Sequence, residues 1–221
     1  MTNPVFIFDL DGTLVDTAPD LLTSINWLLA REQRRAIGED ELRRIVGRGA
    51  KNLISTAFAI TGDEISAFEI EMLYRAFLKD YGSHVAAASR PYPGVVETLE
   101  VLKADGASMG VLTNKPHGPS VQLLDELGLS PYFGAIWGQG KQPYLKPDPR
   151  LFTGIVSELG GGPALMVGDS ATDVETARGA GAPVVLVSYG YTQVPAVHLG
   201  ADAVIDAFRE VRVTGRQLLG L

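Results

Sequence analysis

Short, uninterrupted apolar runs punctuate the chain. Val5-Phe6-Ile7-Phe8, Met109-Gly110-Val111-Leu112, Ala164-Leu165-Met166-Val167 and Val184-Val185-Leu186-Val187 are bounded by polar or turn-forming residues, the pattern of strands buried on both faces. Ala135-Ile136-Trp137 and Ala203-Val204-Ile205 are weaker versions of it. Between them apolar positions recur at helical spacing, as in Val95, Val96, Leu99 and Leu102, and in Leu151, Phe152, Ile155, Val156 and Leu159. Strands alternating with amphipathic helices predict an α/β fold, a doubly wound parallel sheet covered on both faces.

Residues 17–84 break this alternation. Leu21, Leu22, Ile25, Leu28 and Leu29 keep helical spacing, as do Leu42, Ile45 and Val46, then Leu53, Ile54, Ala57 and Phe58, then Met72, Leu73, Ala76 and Phe77. Ser66 with Glu69 makes a capping box ahead of the last stretch. No strand pattern interrupts the block, which is too long for one crossover helix. The expected organisation is a core of residues 1–16 and 85–221, with residues 17–84 as a small all-helical inserted domain. Its linkers fall near Thr13–Thr17 and Gly82–Pro93, where turn formers gather.

Composition narrows the function classes. Apolar residues make up 46% and charged residues 20% of the 221, an ordinary globular balance rather than a disordered one. There are 26 acidic residues against 19 basic ones, net −7, which disfavours phosphodiester backbones, so no nucleic-acid partner is expected. The absence of cysteine excludes disulfides, a thiolate nucleophile, Cys-ligated zinc and iron–sulfur clusters. No apolar run approaches the ~18 residues of a membrane span. The start, Met1-Thr2-Asn3-Pro4, lacks the charged and then apolar pattern of a secretory leader. The expectation is a cytoplasmic protein without a membrane partner, either monomer or homodimer.

Ligands of open parallel sheets sit beyond the carboxyl ends of the strands. Asp9 and Asp11 follow the first run, Thr113 and Asn114 the second, Asp169 and Ser170 the third. Right-handed crossovers would gather those ends at one edge. Asp9, Asp11, Asp169 and Asp173 would then crowd negative charge together, which a hard cation relieves. An oxygen-only set without nearby His or Cys suits Mg²⁺. Asp9 and Asp11 alternate on extended backbone, so a turn at Gly12 is needed before both can face one ion. Lys146, ahead of Pro147-Asp148-Pro149, supplies a point positive charge, and Thr113 a hydroxyl donor, both suited to a phosphoryl group. Carboxylate nucleophile, second carboxyl, metal, cation and hydroxyl together match phosphoryl transfer through an aspartyl-phosphate.

These residues carry a family resemblance. Phe8-Asp9-Leu10-Asp11-Gly12-Thr13-Leu14-Val15-Asp16-Thr17 resembles the first motif of the haloacid dehalogenase superfamily. Leu112-Thr113-Asn114-Lys115-Pro116 resembles the second, Lys146-Pro147-Asp148-Pro149 the third, and Gly168-Asp169-Ser170 through Asp173 the fourth. The resemblance implies a Rossmann-like core with a helical C1-type cap. It implies that Asp9 attacks phosphorus and that Asp11 protonates the leaving oxygen and then activates water. Thr113, Asn114 and Lys146 would lie against the substrate. Mg²⁺ would sit on Asp9, the main-chain carbonyl of Asp11, and Asp169, with Asp173, Thr13 and Gly12 supporting from behind. An acid at position 11 favours phosphate esters over haloacids.

Val46-Gly47-Arg48-Gly49-Ala50-Lys51 is similar to the cap loop of phosphoglycolate phosphatases, which implies 2-phosphoglycolate as substrate and Arg48 or Lys51 as a contact to its non-reacting end. A β-phosphoglucomutase-like mutase or a sugar phosphatase shares the same core residues and is the alternative. Gly106-Ala107-Ser108-Met109-Gly110 fits a nucleophile elbow only in letters, because a helix precedes it and a strand follows.

Overall fold

The computed structural model describes residues 3–221; Met1 and Thr2, the first residues read for a leader, lie outside the described residues. Six parallel strands form the main sheet, in the order β5-β4-β1-β6-β7-β8. They are β1 (Val5–Phe8), β4 (Ser108–Pro116), β5 (Ala135–Gln139), β6 (Ala164–Gly168), β7 (Val184–Val187) and β8 (Ala203–Ile205). Every expected strand is present, and β1 sits at the centre, paired with β4 on one side and β6 on the other.

The apolar runs explain the layering. Side chains alternate across a strand, so Phe6 and Phe8 enter one apolar cluster while Val5 and Ile7 enter the other. The same alternation splits Leu165 and Val167 from Met166, and Val185 and Val187 from Val184 and Leu186. On the first face pack α5 (Val95–Ala104) and α9 (Val211–Leu218), on the second α7 (Pro149–Glu158) and α8 (Ala171–Gly179), with α6 (His117–Glu126) following β4.

Between β1 and β4 come α1 (Ala18–Arg31), α2 (Glu39–Arg43), α3 (Ala50–Thr61) and α4 (Ala67–Gly82). Leu21, Ile25 and Leu28 of α1 meet Leu53 and Phe58 of α3 and Phe77 of α4 in one cluster that is continuous with the first face of the sheet. The expected capping box opens α4: Ser66 N–H donates to Glu69 Oε2 at 2.8 Å, and Glu69 N–H to Ser66 Oγ at 3.3 Å. Helical spacing at Leu42, Ile45 and Val46 ends early, because α2 stops at Arg43 and the chain turns into a loop where Gly47 and Gly49 have φ of 110° and 87°.

A feature without a sequence signal joins insert to core. β2 (Val15–Asp16) and β3 (Arg90–Pro91) pair antiparallel, one strand in each linker. The Asp20 carboxylate clamps the return linker, accepting Ala88 N–H at 3.0 Å, Ser89 N–H at 2.7 Å and Ser89 Oγ at 2.6 Å.

Candidate active site

Three strand ends converge as the topology requires. Asp9 follows β1, Thr113 lies in β4 and Asp169 follows β6; all three are buried. β4 runs on through Pro116, so Thr113 to Lys115 are strand residues rather than a loop beyond it.

Asp9, Asp169 and Asp173 each place a carboxylate oxygen within 4.8 Å of the others. Into this group reaches Lys146, its Nζ 3.0 Å from Asp9 Oδ1 and 2.7 Å from Asp173 Oδ1. Three carboxylates face one ammonium, leaving two formal negative charges unmatched. Burial pushes the Asp9 carboxyl up to about 6, with Lys146 pulling against the rise and Asp173 adding to it. Asp169 is driven well above the carboxylate range by burial and by its neighbours Asp173 and Asp9. Burial also works against the charge of Lys146, but Asp173 and Asp9 hold its pKa above the ordinary lysine value. An all-oxygen, charge-deficient cluster of this kind fits a divalent cation.

The backbone is shaped around these carboxylates. Gly12 has φ of 83°, and a Cβ there would lie 2.6 Å from Asp169 Oδ2, so the turn after Asp11 requires glycine twice over. Tyr191 N–H donates to Asp169 Oδ2 at 2.7 Å, and Thr13 Oγ1 lies 3.5 Å from Asp169 Oδ1. Asp173 Oδ2 accepts Ser170 Oγ at 2.8 Å, Ser170 N–H at 3.1 Å and Asp169 N–H at 3.2 Å. Its other oxygen holds Lys146, so Asp173 ties the lysine to the loop bearing Asp169.

Asn114 is a bracket. Its Oδ1 accepts Lys146 N–H at 2.9 Å, and its Nδ2 donates to Lys146 O at 3.2 Å and to Gly47 O of the insert at 3.3 Å. Both ends of the amide are thus engaged with protein. A pocket opens between core and insert, lined by Asp9, Asp11, Thr113 and Lys115 on the core side and by Leu53, Phe77 and Tyr81 among others on the insert side.

A family model described as haloacid dehalogenase-like hydrolase matches residues 6–187. The chain belongs to that family. It is 46% identical over 206 residues to the phosphoglycolate phosphatase of Caulobacter vibrioides, covering 92% of this chain and 87% of that one. With the phosphoglycolate phosphatase of Agrobacterium fabrum the identity is 43%, over 93% of this chain and 89% of the relative. A crystal structure of a predicted phosphoglycolate phosphatase from Haemophilus somnus 129pt superposes with a TM-score of 0.91 at 34% identity, covering 97% of this chain and 99% of that one. The protein is a phosphoric monoester hydrolase of phosphoglycolate phosphatase-like type.

Within this haloacid dehalogenase-like frame the insert is the cap, and its loop reaches the site through glycine. Gly47 and Gly49 line the cavity, whereas Arg48 is exposed and lies outside the lining. Lys51 pairs with Glu71 of the cap.

Two site residues escaped the sequence reading. Lys115 Nζ lies 3.1 Å from Asp11 Oδ1 and 2.7 Å from the hydroxyl of Tyr81, whose ring it also faces at 4.5 Å. Burial opposes its charge, but Asp11 and Tyr81 keep its pKa above the ordinary lysine value. Tyr81 had a usable signal, being four residues after Phe77 in a helix, a spacing that returns a side chain to the same face; Lys115 falls where the β4–β5 register shifts, between Leu112 and Pro116, so simple alternation from Thr113 does not fix its side.

Among the described residues no helix is long and apolar enough to cross a membrane.

Proposed function

We propose that this enzyme is a cytoplasmic, Mg²⁺-dependent phosphatase of small phosphorylated metabolites, with 2-phosphoglycolate as its substrate, and that residues 17–84 act as the cap over its site. The observation that carries the reading is the charge-deficient trio Asp9, Asp169 and Asp173 with Lys146 seated in it. The names of the relatives at 46% and 43% identity support the substrate.

Asp9 and Asp169, with the main-chain carbonyl of Asp11, would hold Mg²⁺, and the ion would supply charge neutralisation for a phosphoryl group at Asp9. Asp9 attacks phosphorus; a bond from its carboxylate oxygen to phosphorus forms as the bond to the glycolate oxygen breaks. Asp11 gives that leaving oxygen its proton. Water then loses a proton to Asp11 and attacks the phosphorus of the aspartyl-phosphate, which releases inorganic phosphate and restores both carboxyls. Lys146 and the Thr113 hydroxyl serve the phosphoryl oxygens. Asp173 holds Lys146 in place, Asn114 holds the backbone of Lys146 against the cap loop, and Thr13 and Gly12 hold the loop that carries Asp11. The apolar cap wall keeps bulk water from the reacting atoms.

The test is phosphate release from a panel of phosphate esters, with and without added sugar bisphosphate, in Mg²⁺ and in chelator. The expected result is Mg²⁺-dependent release, highest for 2-phosphoglycolate and independent of any bisphosphate. Release that needs a sugar bisphosphate would instead indicate a mutase, and turnover indifferent to chelator would remove the metal from the account.

A further inference from the structure

The cavity between core and cap is charged on one side only. Of its lining residues, three carry a formal charge: Asp9, Asp11 and Lys115. Lys146 approaches the reacting end, paired to Asp9 and Asp173. Lys115 is thus the one cation on the cavity wall among the described residues. The rest of the wall is largely apolar, with Leu21, Val46, Leu53 and Phe77 facing the space.

The position of Lys115 is built rather than incidental. Its side chain is 2% exposed, and its ammonium rests against Asp11 and the Tyr81 hydroxyl. Tyr81 comes from α4 of the cap and is itself held by Phe77, stacked at 5.7 Å. Core strand and cap helix therefore meet at this one ammonium. A lysine offers three donors, and the protein partners of Lys115 among the described residues are two. A buried cation beside an apolar wall discriminates sharply, since an anion satisfies it and a neutral group of the same size does not.

We propose that Lys115 is the specificity residue of this enzyme: its ammonium, anchored by Tyr81, receives the carboxylate at the non-reacting end of a short phosphate ester. This rests on the phosphatase reading and deepens it. It assigns to a core lysine the recognition that the sequence suggested for Arg48.

The experiment compares kcat/KM for matched acid and neutral esters. The pairs are 2-phosphoglycolate with ethyl phosphate, and 3-phosphoglycerate with glycerol 3-phosphate. The variants are Lys115→Met, Tyr81→Phe and Arg48→Ala. Wild type is expected to prefer the acid of at least one pair by about 100-fold, the scale of leaving a buried polar group unsatisfied. Lys115→Met should bring that preference to within about threefold of unity by lowering the acid value far more than the neutral one. Tyr81→Phe keeps the ring stacked on Phe77 and should raise KM for the acid several-fold, more than for the neutral ester. Arg48→Ala should keep the preference.

Equal losses on acid and neutral esters in Lys115→Met and Tyr81→Phe would overturn the proposal and leave Lys115 as a partner of Asp11 alone. Loss of the preference in Arg48→Ala with its survival in Lys115→Met, or no acid preference in wild type, would overturn it as well. A wild type that prefers 3-phosphoglycerate but not 2-phosphoglycolate, with the preference lost in Lys115→Met, would uphold Lys115 while refuting the substrate.

Discussion

Lys146 stands closer to Asp173, at 2.7 Å, than to Asp9, at 3.0 Å. The acid that grips it hardest is the one whose second oxygen is committed to the Asp169-Ser170 backbone. Lysine and strand-end loop are locked together, so a phosphoryl group at Asp9 would meet a cation already ordered, without the entropy cost of fixing a free side chain.

Replacing Asp173 by Asn should therefore damage both stability and turnover. Both partners of the pair are essentially inaccessible, at 1% and 0% exposure. Removing one partner of a buried pair costs about 3–5 kcal/mol. Urea unfolding of Asp173→Asn should show a loss of about 3 kcal/mol, with kcat for 2-phosphoglycolate reduced at least tenfold. Wild-type stability in this variant would mean that Lys146 does not depend on Asp173.

The raised Asp9 carboxyl gives a pH signature in metal-free protein. Its folded value of about 6 lies above the ordinary 3.8, so the folded state holds the proton more tightly and ionisation works against folding. Protonated Asp9 below about pH 4 carries no penalty; the penalty grows between about 4 and 6 and is complete above that. Two pH units correspond to about 3 kcal/mol at most. The stability of wild type minus that of Asp9→Asn, followed in chelator, should fall across this window. A difference that stays flat or rises would contradict the burial argument. Added Mg²⁺ should flatten the slope.

Tyr191 links the Asp169 carboxylate to the linker that enters the helical insert. Its hydroxyl accepts Thr17 N–H at 2.7 Å and Ala18 N–H at 3.0 Å and donates to Asp16 Oδ1 at 2.7 Å, while Arg43 pairs with Asp16 Oδ2 at 2.9 Å. Tyr191→Phe strands the Thr17 N–H, worth about 1–3 kcal/mol, while Ala18 N–H keeps Asp16 Oδ1 at 3.3 Å and the backbone N–H stays on Asp169. Thermal unfolding should register that loss with the Mg²⁺ concentration for half-maximal activity moving less than about threefold. A large shift in Mg²⁺ dependence would show that the hydroxyl supports the metal site as well as the linker.

The sheet, its central strand and the acids at its edge were legible because each rests on local chemistry. Val5 to Phe8 are apolar on both sides because β1 is covered on both sides, and Asp9 follows because the strand ends there. Gly12 was legible as a turn; that its missing side chain also makes room for Asp169 was not, since position 169 approaches only in three dimensions. The β2–β3 ribbon was hidden because two-residue strands carry no periodicity. Tyr191 was hidden for a different reason. It lies on a loop after β7, and its partners Asp16, Thr17 and Asp169 are remote in sequence. Lys115 was hidden because the β4–β5 register shifts between Leu112 and Pro116, where regular alternation no longer says which side a residue faces.

The central claim is that Asp9 is the nucleophile of a magnesium-dependent phosphate-ester hydrolase. Its most direct measurement is phosphate release from 2-phosphoglycolate in saturating Mg²⁺ by wild type and by Asp9→Asn, with circular dichroism showing that the variant is folded. The account predicts that folded Asp9→Asn loses about 10⁴-fold or more in kcat, the scale of removing a covalent nucleophile. Turnover within tenfold of wild type would contradict it.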